Sequence, residues 1–424
     1  MSVVEDLLKN VPIPKMLPIE QSFDETHIPA EEIPQRIEEQ LAQEKISGKL
    51  RPGMEVAITV GSRGVANIAL IVRSIADSLK RRGVKPFAVP AMGSHGGATA
   101  EGQRRVIEGY GVTEEYIGCP IRSSMETEEI GLTETGRPVR IDRNAYHADG
   151  IIVLGRVKPH TGFRGPYESG LMKMMAIGLG KQFGAEMIHA DGFGHFREYI
   201  PEYGKAILKH APVLCGLAVL ENAYDQTREL EALTPQEIID REPELLLRAK
   251  SYMPRILFDS CDVLIVDRMG KDISGDGMDP NISGRFPTPY ASGGIQAQRV
   301  AVLGLTEASH GNACGIGLAD VTTRRLFEEM DLEQTYPNAI TNTVVEEMKI
   351  PMILASDRLA IQMALKSCTD VDHARPRVVH IRTTLAMRHI EISEAMLDQA
   401  RQTPGVTVLG QAADMPFDEN GNLF

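Results

Sequence analysis

The residues GIIVL at positions 150–154 form a fully apolar run of strand length, and they lead into VKPHTGFRG at positions 157–165. The chain continues with GLMKMM at 170–175 and EMIH at 186–189. A histidine on the loop that leaves a buried strand, a lysine in a Gly/Met-rich helical segment and a second histidine thus lie in one continuous segment. This composition is typical of a reactive site at the end of a parallel strand.

The sequence before this segment repeats one pattern. A predicted strand at Val56–Val60 runs into GSRG at 61–64 and then into a helix from about Val65 to Arg82. A second strand, Pro86–Ala91, runs into MGSHGG at 92–97. Strand, glycine-rich loop and helix in this order indicate parallel strands joined by crossover helices. A predicted β-hairpin between about 130 and 141 interrupts the pattern before the strand at 150.

A second region with this character begins near Ser260. A predicted strand at Asp262–Val266 enters a long polar loop, Met269–Gly294, and further strands follow at Val300–Leu303 and Val378–Ile381. A loop of that length without regular structure is usually functional. The sequence therefore predicts the α/β class, with two α/β domains that have mostly parallel sheets and a cleft between them.

A chain of 424 residues is longer than one hydrophobic core usually supports. We expect residues 1–255 to form an N-terminal cofactor-binding catalytic domain. Residues 256–424 would form a C-terminal α/β domain that closes over the substrate, with the last strand a candidate to return to the first domain.

Composition limits the class of partner. The net charge of −13 provides no basic field for nucleic acid or an anionic membrane surface. No apolar run reaches the ~20 residues of a membrane helix, and the N-terminus lacks the pattern of a signal peptide. The five cysteines are scattered and form no Cys-x-x-Cys pair, which favours reduced thiols. We expect a cytoplasmic protein with a small-molecule ligand.

Three polar residues follow predicted parallel strands and should therefore lie at one edge of a sheet. Arg63 precedes a helix, where its guanidinium would hold a carboxylate or phosphate. The alternative is a surface arginine that caps the helix or pairs locally. His95 and His160 occupy the corresponding loops of the next two strands. A single loop histidine is usually structural, but the matching positions favour a shared site.

Two further candidates lie downstream. Lys173 has apolar neighbours, which would lower its pKa and make the amine nucleophilic, unless the side chain reaches solvent from the helix end. His189 is either a metal ligand or a histidine hydrogen-bonded at a helix end. With Asp191 and His195 it would form the ligand set of a zinc-dependent hydrolase, in which His160 would be the base.

The ordered set of His95, Lys-Pro-His160, Lys173 and His189 resembles the nickel-dependent lactate racemase family over roughly the first half of the chain. The resemblance implies a nickel-pincer nucleotide, a pyridinium-3,5-bisthiocarboxylic acid mononucleotide that binds nickel and is covalently attached at Lys173. It also implies that His189 is the nickel ligand and that enzymes of cofactor synthesis are partners.

The same resemblance assigns roles around a 2-hydroxyacid. His95 and His160 would be the acid and base on the two faces of the substrate, Arg63 would bind its carboxylate, and Ser62 and Gly64 would contact the cofactor. Hydride would leave C2 for the cofactor and return to the opposite face, so that C2 is inverted. Imidazoles suit this work because their pKa lies near the working pH.

The sequence departs from that family at several points. Gly64 replaces a proline, the stretch between His160 and Lys173 is longer, and a polar loop takes the place of the tyrosine and lysine that close over lactate. We expect four residues of this loop to bind substrate: Lys271, Asp272, Asn281 and Arg285. They favour a polyhydroxylated acid such as an aldonate (gluconate-like), with lactate or another short 2-hydroxyacid as the alternative.

Two alternatives come from other functional classes. The zinc-dependent hydrolase would contain zinc and carry no adduct at Lys173. A non-catalytic carboxylate-binding protein would need only Arg63 and the loop amides, so its affinity would not depend on His95 and His160.

Overall fold

The computed structural model describes residues 3–62 and 64–424. The chain divides into two compact units. We call residues Asp24–Met253 the central unit, and the residues up to Phe23 together with Pro254–Phe424 the terminal unit. The sequence predicted one domain from 1 to 255, and the structure differs in placing the first 23 residues with the C-terminal ones. The reason is strand pairing, since Met16–Gln21 pairs antiparallel with His389–Ser393.

The central unit contains a five-stranded sheet. Its first four strands are parallel and the last is antiparallel, in the order Lys85–Pro90, Glu55–Val60, Gly150–Arg156, Val213–Glu221 and Thr227–Leu233. A separate antiparallel hairpin pairs Thr127–Leu132 with Pro138–Asp142. The predicted parallel strands and the hairpin are confirmed, whereas Thr227–Leu233 was not predicted.

Helices of the central unit flank its sheet. They are Ile33–Ala42, Glu44–Ser47, Ile68–Arg81, Ala100–Gly109, Glu114–Ile117, Arg143–Tyr146, Leu171–Lys173, Lys181–His189, Phe196–His210 and Pro235–Tyr252, with a π-helix at Met174–Leu179. In Ile68–Arg81 the apolar residues recur at helical spacing, and Ile71, Ile75 and Leu79 are fully buried. Thr99 caps the next helix, since its hydroxyl accepts the amide hydrogen of Gly102 at 3.0 Å.

The terminal unit contains an eight-stranded mixed sheet. Its order is Met352–Leu354, Val321–Thr323, Gln296–Leu305, Ser260–Met269, Val378–Ile381, His389–Ser393, Met16–Gln21 and Val406–Val408, and the first five strands are parallel. The last strand therefore lies in this unit beside Met16–Gln21 rather than in the central one. The N-terminal strand Met16–Gln21 pairs antiparallel with His389–Ser393 on its other side.

The helices of the terminal unit are Val3–Leu8, Pro280–Ser283, Arg324–Glu329, Leu332–Asn342, Asp357–Lys366 and Leu397–Gln402. The polar loop predicted at 269–294 is largely irregular and contains the short helix Pro280–Ser283. Among the described residues, no helix combines the length and apolarity needed to cross a bilayer.

Candidate functional site

The carboxyl ends of two parallel strands of the central unit contact the π-helix Met174–Leu179. A Cβ atom on Gly61, just after the strand Glu55–Val60, would lie 2.9 Å from Cε of Met174. After the neighbouring strand, the amide of Gly93 donates to the carbonyl of Gly178 at 3.3 Å. π-Helical turns are rare and often occur at functional sites. The glycine loops and the segment that starts at Lys173 are therefore packed together at one edge of the sheet.

His95 follows the strand Lys85–Pro90 and is exposed. Its Nδ1 atom lies 2.5 Å from Oγ of Ser62, which follows the adjacent strand. A hydroxyl can donate or accept, so this pair is compatible with either neutral tautomer of the imidazole. The two loops that the sequence placed at one sheet edge are thus joined through His95, and Ser62 contacts a predicted acid/base residue.

His160 lies in a loop that is closed at its base by pairing between Lys158 and Ser169. Nδ1 of His160 accepts the amide hydrogen of Gly162 at 2.9 Å, so a neutral ring carries its proton on Nε2. The backbone amide of His160 donates to Glu168 at 2.8 Å. Because Glu168 is 1% exposed, the loop is organised around a buried carboxylate.

Glu168 has further cationic partners. Its carboxylate accepts a hydrogen bond from Nζ of Lys250 at 2.7 Å, and Arg164 lies 3.3 Å away. The guanidinium of Arg164 also donates to the carbonyl of His160 at 2.6 Å. The backbone of His160 is therefore fixed from two sides, while its ring contacts Phe163 with centroids 4.6 Å apart.

Lys173 ends the short helix Leu171–Lys173, and a buried acid contacts the start of that helix. Oε2 of Glu242 accepts the amide hydrogen of Met172 at 3.0 Å. A Cβ atom on Gly170 would lie 2.1 Å from Oε1 of Glu242, so only glycine allows this approach. Burial raises the pKa of Glu242 from 4.5 to about 8, although hydrogen bonds from the amides of Met172 and Leu171 oppose the change.

His189 is the last residue of the helix Lys181–His189. Its Nδ1 lies 2.6 Å from the carbonyl of Ala185, so Nδ1 carries the proton and Nε2 has the lone pair. The ring packs edge-on against Phe193 and Phe196, with centroids 5.7 and 4.9 Å away. A neutral imidazole with one nitrogen fixed by a carbonyl is the usual form of a metal-ligating histidine.

Electrostatics connects His160, Lys173 and His189. Burial lowers the pKa of His160 well below 6.5, and the positive charges of Lys173, His189, Lys158 and Arg164 lower it further. Burial also lowers the pKa of His189, as does Lys173, whereas the hydrogen bond to Ala185 opposes the change. His160 and His189 also share a contact with Phe193, with centroids 5.9 and 5.7 Å away, so the two imidazoles lie near each other, and the charge of Lys173 favours the neutral form of both.

The roles of two residues in the first glycine loop, Arg63 and Gly64, stay predictions. Arg63 lies outside the described residues, so its predicted contact with a carboxylate stays a prediction. Gly64 is exposed, and a Cβ atom built on it meets no atom within 4 Å. Its predicted contact with the cofactor stays a prediction as well.

The set proposed for a zinc hydrolase is not assembled. The hydroxyl of Tyr199 donates to Asp191 at 2.6 Å, and Arg137 lies 3.1 Å from the same carboxylate. His195 stacks on the ring of Tyr199, with centroids 5.3 Å apart. Within residues 3–62 and 64–424, no group of three or more His, Cys, Asp or Glu side chains is arranged to hold a metal ion.

The four predicted substrate ligands of the terminal unit have partners inside that unit. Nζ of Lys271 donates to the carbonyl of Gly275 at 2.5 Å, and Asp272 accepts from Thr306 at 2.5 Å. Nδ2 of Asn281 donates to Asp279 at 2.9 Å. Arg285 lies 2.7 Å from Asp320 and donates to two backbone carbonyls. These contacts shape the loop, and the substrate role of the four residues stays a prediction.

Sequence reasoning missed Glu168 and Glu242, the buried acids behind His160 and Lys173. A signal was present for Glu242, because it follows Ile238 by four residues and precedes Leu245 by three. These positions lie on the buried face of the helix Pro235–Tyr252. An acid on an apolar helical face indicates a partner, but the sequence does not show that the partner is the amide of Met172.

The chain is similar to known proteins in two comparisons. Residues 9–193 match the family model of the lactate racemase N-terminal domain. Among solved structures, the chain is similar to the lactate racemase apoprotein from Thermoanaerobacterium thermosaccharolyticum, with 14% sequence identity and a TM-score of 0.42. The match covers 68% of this chain and 74% of that one. A comparison with curated proteins gave no match.

Proposed function

We propose that this chain, whose residues 9–193 match the family model of the lactate racemase N-terminal domain, is a racemase or epimerase that inverts C2 of a 2-hydroxyacid. The observation that carries this proposal is that His160 and His189 pack against the same ring, Phe193, with centroids 5.9 and 5.7 Å away. The charge of Lys173 lowers the pKa of both imidazoles, as burial does, which favours their neutral forms. A neutral imidazole can bind a metal or exchange a proton, whereas an imidazolium can only donate.

The described residues fit the nickel-pincer nucleotide on which the family generally depends. Nε2 of His189 retains its lone pair because Nδ1 pairs with the carbonyl of Ala185, so His189 would be the nickel ligand. Lys173, which directly precedes the π-helix Met174–Leu179, would provide the amine for covalent attachment. When bound, this group would take up the hydride of C2 and return it to either face.

The chain itself supplies orientation and proton exchange. His160 presents Nε2 to a ligand because Gly162 occupies Nδ1, and His95 is oriented by Ser62. We assign these two histidines to the hydroxyl proton of the substrate, one for each face. The positive charges that surround His160 favour a substrate with a carboxylate. Arg63 would fix that carboxylate through two parallel hydrogen bonds.

For the substrate we propose a polyhydroxylated acid such as an aldonate, ahead of lactate. Support comes from the polar loop Met269–Gly294, which is rich in donors and acceptors where a methyl group would need an apolar wall. Lys271, Asp272, Asn281 and Arg285 would contribute to this polarity.

The proposal can be tested by expressing the chain together with cofactor-synthesis enzymes. Intact-protein and peptide mass spectrometry should show a covalent adduct at Lys173, and metal analysis should show nickel. C2 inversion of aldonates, lactate and other short 2-hydroxyacids would then be followed by chiral chromatography. Faster inversion of lactate would reverse the substrate order. Zinc in an unmodified chain without inversion activity would refute the proposal.

A further inference from the structure

Lys181 is a buried lysine that the proposed chemistry does not use. It is the first residue of the helix that ends at His189, and it is 0% exposed. Its backbone has a φ of 54°, in the left-handed region that a lysine rarely adopts. Burying a long cation in a strained conformation is costly, and such strain persists only when the surrounding contacts support it.

Three acceptors surround the ammonium group of Lys181. It donates to the carbonyl of Pro90, at the end of the strand before the His95 loop. It also donates to Oε1 of Gln103 at 3.1 Å and lies 3.1 Å from Oδ2 of Asp142. Two donated hydrogen bonds and one ion pair thus connect the ammonium group to three separate segments. The first turn of the helix that carries His189 is thereby tied to the strand that carries His95.

Gln103 continues this connection. It is 0% exposed, and its Nε2 donates to the carbonyls of Gly93 at 2.8 Å and of His95 at 3.2 Å. The chemistry of these partners fixes the amide orientation, since Lys181 can only donate and the two carbonyls can only accept. One side chain therefore contacts both the ammonium of Lys181 and the backbone of His95.

The glycines of the His95 loop show how closely it lies on the helix Ala100–Gly109. A Cβ atom on Gly96 would lie 2.6 Å from the amide nitrogen of Gln103. A Cβ atom on Gly102 would lie 1.9 Å from the carbonyl oxygen of Gly96. The loop therefore rests directly on the first turn of this helix, with Gln103 beneath it.

We propose that Lys181 and Gln103 are positioning residues that hold the backbone of His95 at a fixed place relative to the helix that carries His189. The inference rests on the proposed function, since it matters for catalysis only if His95 exchanges a proton and His189 binds nickel. Its structural part concerns the chain alone. Loss of the hydrogen bonds from Gln103 should free the His95 loop and leave the rest of the central unit folded.

The test uses the full chain without cofactor and compares Gln103→Glu, Gln103→Met and the control Gln182→Met by hydrogen–deuterium exchange. Gln103→Glu keeps an acceptor for Lys181 and loses both donated bonds, whereas Gln103→Met loses all three contacts. Gln182 is exposed and pairs only locally with Glu186, at 2.7 Å, among the contacts described for its side chain. We expect the amides of residues 93–98 to exchange at least about tenfold faster in both Gln103 variants than in the wild type. Exchange in the control Gln182→Met should match the wild type.

Kinetics of the cofactor-loaded enzyme provides the second readout. We expect kcat to fall at least about tenfold in Gln103→Glu while KM and nickel content stay close to the wild type, because a displaced acid/base residue affects turnover more than binding. Unchanged exchange at 93–98, or exchange that rises equally throughout the central unit, would overturn the inference. Gln103→Glu remains informative if Gln103→Met does not fold.

The two proposals fail in different ways. If the wild type shows no adduct and no inversion but the loop is freed in the Gln103 variants, the proposed function fails and the structural coupling stands. If the wild type inverts C2 and the Gln103 variants do so equally well, the positioning role fails and the proposed function stands.

Discussion

The pKa values of half-buried histidines are shifted in opposite directions in the two units. In the central unit, His160 and His189 are surrounded by aromatic rings and cations, and their pKa values are lowered below 6.5. In the terminal unit, His380 lies between two carboxylates, with Nε2 2.6 Å from Asp267 and Nδ1 2.8 Å from Glu391. Those carboxylates raise the pKa of His380 to about 9 against the opposing effect of burial.

The comparison shows that burial alone does not decide the charge of an imidazole. All three rings are desolvated, which favours the neutral form, and only carboxylates on both ring nitrogens reverse that preference. Even the acid near His160 contacts its backbone amide and not its ring. The neutral pair suits chemistry, whereas the imidazolium of His380 joins three strands of the sheet in the terminal unit.

The largest effect is expected on kcat, from a substitution of His160. In the cofactor-loaded enzyme, His160→Gln should lower kcat by about 10³-fold, within the usual range for loss of a general acid or base. The matched variant His380→Gln should leave kcat per folded molecule unchanged. Chiral chromatography measures both, and equal losses would show that the two histidines do not differ in role.

The next effect concerns the carboxylate behind His160. Glu168→Ala removes hydrogen bonds to the amide of His160 and to Lys250, and should lower the free energy of unfolding by about 2–3 kcal/mol. Denaturant titration measures this free energy. The control is Arg105→Ala, which removes an exposed ion pair with Glu101. A change below about 0.5 kcal/mol, the range of neutral surface substitutions, would mean that the acid does not hold the loop.

A smaller effect is expected at His380, and it depends on pH. Because the pKa rises from 6.5 to about 9 on folding, the stabilisation is fully present below 6.5 and is lost as the pH rises through 9. His380→Gln should therefore lower stability by about 2 kcal/mol near pH 6 and by much less at pH 10. Denaturant titrations at the two pH values test this, and a loss that is independent of pH would contradict the doubly paired imidazolium.

The last effect is a change in the pH slope of stability at Glu242, which is small for each pH unit. Its pKa rises from 4.5 to about 8 on folding, so the folded chain binds the extra proton and stability falls as the pH rises between these values. The slope is at most ~1.4 kcal/mol per pH unit. Glu242→Gln should reduce it, and Glu244→Gln, on the same helix, should not. An unchanged slope in Glu242→Gln would show that Glu242 ionises normally.

Much of the central unit could be predicted because its signals are local. Apolar runs such as residues 150–154 and the glycine loops at 61–64 and 92–97 indicate parallel strands and their ends without knowledge of distant contacts. The position of Met16–Gln21 could not be predicted in this way, since its partners lie nearly 400 residues along the chain. The pattern of residues within one strand does not show which distant strand it pairs with.

The sequence by itself predicted His95 and His160 on loops after parallel strands, and Lys173 and His189 in helical segments downstream, because residue type and spacing along a strand–loop–helix unit are local properties. Only the tertiary structure decided their states. Burial and the partners Gly162, Ala185, Glu168 and Glu242 determine tautomer, charge and backbone position. These quantities depend on desolvation and on hydrogen bonds across the fold, which no local pattern encodes.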